Sequence, residues 1–247
     1  MIDLSTLNLE DFEQWQKVMK NDEFLKEKFV LIHSGHLIHE GVNLNKIRCT
    51  DLINDKKYNL QKMLIFMTLN MNITNEKIVK SNELYQMIKN EDKNLSFYNS
   101  YTFSKYNNIN QSIVHDIKIY CDKLIIATFL LLEDKVVQDL PIESLGAYLN
   151  KSNKRHIFKN SEDFLSLIND LDNSFKHSFS NELGENIIGK NDNCIINYYS
   201  KNGKNIFNPQ IFCVKLDDII NGFNEFLNEV EEFIKGNKNV NTREEEF

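Results

Sequence analysis

The sequence predicts a mainly α fold, a helical bundle with one small β-hairpin ahead of the C-terminal helix. Three observations carry this expectation. Only 2 prolines and 8 glycines occur in 247 residues, so few positions force a break, and a strand-rich fold with many turns is disfavoured. Most of the chain repeats its apolar residues with the period of a helix. The one clear change of period surrounds Asn202-Gly203, a strong hairpin signal because both residues tolerate positive φ. Apolar residues make up 41% of the chain, enough for a core and too many for a disordered polymer.

Taken in order, Leu9–Lys20 reads as a helix with Phe12, Trp15, Val18 and Met19 on one face and Asn8 as its cap. A second helix is expected from Asp22 to Glu40, stopping at Gly41. Asp51–Asn70 and Asn75–Asn90 follow as separate helices, the latter capped by Thr74. Lys93–Asn110 is crowded with Asn, Ser and Tyr and reads as a long loop. Its aromatics, Phe97, Tyr98, Tyr101, Phe103 and Tyr106, suit either stacking on nucleobases or pinning the loop to the core. Gln111–Lys135 is a long buried helix, and Pro141 suits the first turn of a short helix ending near Leu149. Asn150–Asn160 is a basic loop with Lys151, Lys154, Arg155, His156 and Lys159.

Ser161 is a good N-cap for a helix reaching Ser180, and Glu162 and Asp163 complement its dipole. Cys194–Tyr199 reads as a strand, Ser200–Gly203 as its turn and Lys204–Phe207 as the return strand, with Pro209 ending the ladder and Ile211–Val214 extending it beyond a bulge. The last helix, Leu216–Lys235, carries a wide apolar face, with Gly236 as its stop. The organisation expected is an N-terminal helical region over residues 1–92, a linker over 93–110, a second helical region over 111–236 and a disordered tail over 237–247.

The net charge of −7 excludes a protein that grips nucleic acid with its whole surface, and confines any such contact to a local patch or dimer cleft. Cys49, Cys121, Cys194 and Cys213 form no C-x-x-C pair, which fits reduced thiols and a cytoplasmic location. Cys194 and Cys213 are placed to face each other across the hairpin. The longest apolar run, Leu124–Leu132, falls short of the roughly 20 residues a membrane helix needs. His33, His36 and His39 are spaced three apart, but the third is turned about 120° from the first on a helix, so all three do not easily converge on a metal; a metal-binding helical protein using them is a third reading. No phosphate-binding glycine loop, dinucleotide fingerprint, zincin motif or nucleophile elbow is present. No metal or cofactor is expected.

On the helix beginning at Ser161, Phe164, Ile168, Leu171, Phe175 and Phe179 make a core stripe. Asp170, Asn173 and His177 cluster on the opposite side. Asn173 and His177 are neighbours at i,i+4, and Asp172 and Lys176 form a second such pair at the flank. A histidine on a polar helix face is available for proton transfer.

The stretch Asp172-Asn173-Ser174-Phe175-Lys176-His177 resembles the signature of the HEPN superfamily: an arginine, an asparagine or histidine, three residues, then a histidine. Asn173 and His177 match that pattern, and Asp172 stands where the family has arginine. The resemblance spans about Gln111–Lys235. It implies an all-helical, commonly dimeric protein that binds or cleaves RNA without a metal, in prokaryotic defence or toxin–antitoxin systems. It further implies His177 as acid or base and Asn173 as a phosphate or ribose contact. Lys176 would be a substitute cation, with Asp170, Lys154 and Arg155 toward substrate. Arginine would offset phosphate charge, and Asp172 in its place would repel the phosphate. A non-enzymatic helical dimer or scaffold binding a protein partner is the alternative.

Overall fold

The computed structural model describes residues 42–50, 53, 58–90, 99–133, 137–150, 157–177, 193–199 and 210–244. All belong to one compact unit, Glu40–Phe247. The helices expected before Gly41, and with them His33, His36 and His39, lie outside the described residues. The fold is mainly α; among the described residues there are five helices and one antiparallel pair of strands just before the C-terminal helix.

Helix α1, Leu60–Asn90, is one continuous helix of 31 residues rather than two helices meeting at Thr74. Thr74 is buried inside it, and its hydroxyl bonds to Asn70 O at 3.3 Å, Asp116 Oδ2 at 2.9 Å and the Tyr120 hydroxyl at 2.8 Å. A threonine that satisfies its hydroxyl this way need not break a helix. Asn59, with φ 53°, starts α1, and its carbonyl accepts from Met63 N.

Helix α2, Asn99–Leu131, begins three turns before the expected start, so residues 99–110 are helical rather than loop. Tertiary contacts outweigh the weak helix propensity of Asn, Ser and Tyr there. Phe103 and Tyr106 are buried with Leu84 and Tyr85 of α1, while Tyr101 is exposed with Lys105 over its ring. Phe97 and Tyr98 lie outside the described residues.

α2 is the axis of the core. It packs against α1, the short helix α3 (Leu145–Asn150), α4 (Glu162–His177) and α5 (Leu216–Glu244). Ser144 caps α3, its hydroxyl accepting from Ala147 N. From α5, Leu216, Ile219, Ile220, Phe223, Phe226, Leu227, Val230 and Ile234 are all buried, as the apolar face predicts. Phe158 meets Phe226 edge-on with centroids 5.1 Å apart. The helical stop expected at Gly236 is not used, and α5 runs on to Glu244.

Strand β1, Cys194–Tyr199, lies where expected. Its partner β2 is Gln210–Lys215, paired from Cys194↔Lys215 to Tyr199↔Gln210. Tyr199 thus pairs with Gln210 rather than with the expected return strand at Lys204–Phe207; the expected turn at Ser200–Gly203 lies outside the described residues, and β2 starts just after Pro209, which has no N–H to give a ladder. Residues 204–207 lie outside the described residues. Ile195, Asn197 and Phe212 are buried while Cys213 and Lys215 are exposed, the alternation of a sheet with one covered face. Tyr106, bonded to Asn193 and to Cys194 O, ties β1 to α2.

Residues 42–50 have no regular structure, and side chains satisfy part of their backbone. Asn75 accepts from Leu44 N at 2.9 Å and donates to Leu44 O at 3.3 Å. Asn224 does the same for Asn45 N and Asn43 O, and Glu231 accepts from Arg48 N at 2.6 Å. An extended segment is thus held to α1 and α5 by amide side chains that stand in for a neighbouring strand.

Where α5 passes α4, a Cβ added at Gly222 would lie 2.4 Å from Phe164 Cδ2. Overpacking costs about 1–3 kcal/mol, against a gain of up to about 1 kcal/mol from replacing a helical glycine. Gly222→Ala should therefore lower the melting temperature in the wild-type background and raise it in a Phe164→Ala background. Equal effects in both would show that the two residues do not touch.

Candidate functional site between α2 and α4

Helix α4 buries a face rotated from the one its apolar pattern suggests. Leu165, Ile168 and Leu171 are fully buried, but so are Asp172 and Ser174, while Phe164 and Phe175 are only partly covered. Asp172, expected at the flank of the apolar stripe, is turned into the core. Two polar residues enter the core because partners arrive from other elements, as buried polar groups require. Ser174 donates to Leu171 O at 2.6 Å and accepts from Asn197 Nδ2 of β1 at 2.7 Å. Asn197 is itself buried.

The Asp172 carboxylate is the centre of the site. One oxygen, Oδ1, lies 2.9 Å from Nδ1 of His115 on α2, and the other, Oδ2, accepts from Nζ of Lys176 one turn further along α4. The Asp172 side chain is 3% exposed, against 48% for His115 and 44% for Lys176. A buried anion thus holds two half-exposed nitrogen groups side by side. With Nδ1 engaged by the carboxylate, Nε2 is the imidazole nitrogen left to meet a ligand. The same arrangement, a carboxylate fixing the tautomer and direction of a histidine, serves metal ligation and general base catalysis alike.

The residues expected from the sequence are brought together in part. Lys176 joins the cluster through Asp172. Asn173 and Asp170 lie half-buried on α4, and His177 is its last residue. Lys154 and Arg155 lie outside the described residues.

His115 went unrecognised because it is isolated in sequence, on a helix that reads as buried. The available signal was the polar stripe Ser112, His115, Asp116, Lys118 and Asp122, which recurs at three- and four-residue steps along α2. On the α1 side of that stripe, Lys77 donates to Asp116 at 2.6 Å and to Ser112 at 2.8 Å. At its far end Lys118 donates to Asp122, which also accepts from Leu145 N at the start of α3. Along this edge each of three aspartates is matched by a lysine, in a chain whose net charge is −7.

Among the described residues no group of three or more His, Cys, Asp or Glu side chains could hold a metal, and no helix is long and apolar enough to cross a membrane. Cys194 and Cys213 are both free thiols, diagonal rather than opposite in the ladder, since Cys213 pairs with Ile196. No protein-family model, curated protein or solved structure matches this chain.

The thiols give a test of this packing. Burial, helped by the nearby charge of Glu231, pushes the Cys49 thiol up to about 11, and burial also raises that of Cys121. A pKa near 11 leaves about one thiolate in a thousand at pH 8, so both should resist alkylation in the folded protein. Cys213 is exposed and should be labelled far faster than either. Mass spectrometry after brief alkylation reads this directly, and rapid labelling of Cys121 would contradict the position of α2 in the core.

Proposed function

We propose that this chain is a HEPN-like protein that binds RNA along the polar edge between α2 and α4 and supports its metal-independent cleavage. One observation carries the reading. Asp172, at the position where the family has arginine, is buried with one oxygen against His115 and the other against Lys176. Its charge is turned inward and offset, so it does not oppose a phosphate as an exposed carboxylate would. What faces outward instead is an imidazole and an ammonium, the groups that accept a proton and offset phosphate charge. His177 ends the same helix, with Asn173 one turn before it.

A second reading, a non-enzymatic helical dimer or scaffold, is favoured by a different feature. Phe66, Ile73 and Met87 are each about half exposed on α1. They lie seven and fourteen residues apart, the spacing of a helix–helix seam.

The test is cleavage and binding of RNA by the purified chain in chelator, beside His177→Ala. The RNA reading expects binding that weakens with salt, cleavage by the wild type, and a loss of about 10²-fold or more in the variant. Equal cleavage by both would remove His177 from the site. No RNA binding, together with stable self-association lost on Ile73→Lys, would favour the second reading.

A further inference from the structure

We infer that His115 is a proton-transfer residue of this site, positioned by Asp172, acting on a phosphodiester that carries an adjacent 2′-hydroxyl. The inference rests on the RNA reading above and adds to it a residue from a different helix. Three features set His115 apart from a surface histidine. Its Nδ1 lies 2.9 Å from a carboxylate oxygen, and that carboxylate is 3% exposed, so water competes poorly for the bond. The second carboxylate oxygen is engaged by Lys176, so the anion is held from both sides and cannot swing away. The ring is 48% exposed and remains open to a ligand.

The carboxylate accepts a hydrogen bond from Nδ1–H of His115, which leaves the Nε2 lone pair as the base. The step it serves is internal transesterification. Nε2 takes the proton of the 2′-hydroxyl, the 2′-oxygen forms a bond to phosphorus, and the bond from phosphorus to the 5′-oxygen breaks. The leaving 5′-oxygen takes a proton from solvent, to which His115 returns the one it removed. Lys176 offsets the charge that builds on the phosphoryl oxygens. The products are a 2′,3′-cyclic phosphate and a 5′-hydroxyl, so no water, metal or redox partner is consumed. Asp172 touches neither substrate nor product, and its role is to set the tautomer and direction of His115.

The test uses the full chain in chelator with a fluorescent mixed-sequence oligoribonucleotide. The variants are His115→Ala, His115→Gln and Asp172→Asn. His115→Gln keeps an N–H for Asp172 and so guards against loss of fold. Both His115 variants are expected to lower kcat by about 10²-fold or more, with KM and RNA affinity within about twofold of wild type, the split expected of a group used only in the transition state. The wild-type products carry 2′,3′-cyclic phosphate ends. Nitrogen NMR of the histidine rings should show His115 as the Nδ1–H tautomer in wild type and a mixture of tautomers in Asp172→Asn, a change that a merely structural role for Asp172 would not require. Wild-type cleavage that survives both His115 substitutions overturns this inference and leaves the RNA reading standing. RNA binding without cleavage also overturns it. A wild type that neither binds nor cuts RNA overturns both.

Discussion

Helix α2 has to satisfy two opposed demands, and the rest of the structure follows from how it does so. Its apolar residues, Ile113, Val114, Ile117, Cys121, Leu124, Ile125 and Ala127, are all buried, because α1, α3, α4 and α5 each pack against it. Yet one strip of the same helix carries Ser112, His115, Asp116, Lys118 and Asp122. The interior cannot accept such groups unpaired, so the strip fixes how closely its neighbours approach. Asp116 draws Lys77 of α1, Asp122 receives the first N–H of α3, and His115 reaches Asp172 of α4. Each neighbour of the strip is thus registered on α2 by a polar contact at the edge of the apolar one.

Of these contacts the Asp172 cluster has the most at stake. A buried carboxylate loses its hydration and recovers that cost only when its partners are well placed. Exposed ion pairs such as Lys80–Glu83, both more than half exposed, contribute little by comparison. The buried group therefore does more to specify a geometry than to add stability. The geometry it specifies is a histidine and a lysine held together at the surface. Beneath them, the chain from Asn197 through Ser174 to Leu171 O fixes the same turn of α4 to the sheet.

Much of this was legible in the sequence. The scarcity of proline and glycine, the wide apolar face of α5 and the N-terminal signals of α4 located the helices. The period-2 stretch from Cys194 located β1. Where structure and sequence pattern part, tertiary partners override the local signal. Thr74 suits a cap in isolation, but the Tyr120 hydroxyl and Asp116 satisfy it within a helix. The Asn- and Tyr-rich residues 99–110 look like a loop until Phe103 and Tyr106 find Leu84 and Tyr85. Asp172 is the sharpest case. A helical wheel leaves Asp172 at the flank of the apolar stripe, and a histidine 57 residues away in the chain joins Lys176 in making an inward position tolerable. The Asp172–Lys176 pair is legible from its i,i+4 spacing; the third member, His115, sits on another helix and leaves no local signal of the contact.

The central claim is that His115, Asp172 and Lys176 act as one unit joining α2 to α4. The most direct measurement is a double-mutant cycle between His115→Ala and Asp172→Ala, read by chemical denaturation with Lys176 intact. The account predicts a coupling free energy of roughly 1 kcal/mol or more, as expected for residues in one hydrogen-bonded network. Effects that add to within about 0.3 kcal/mol, as for residues that do not touch, would contradict it.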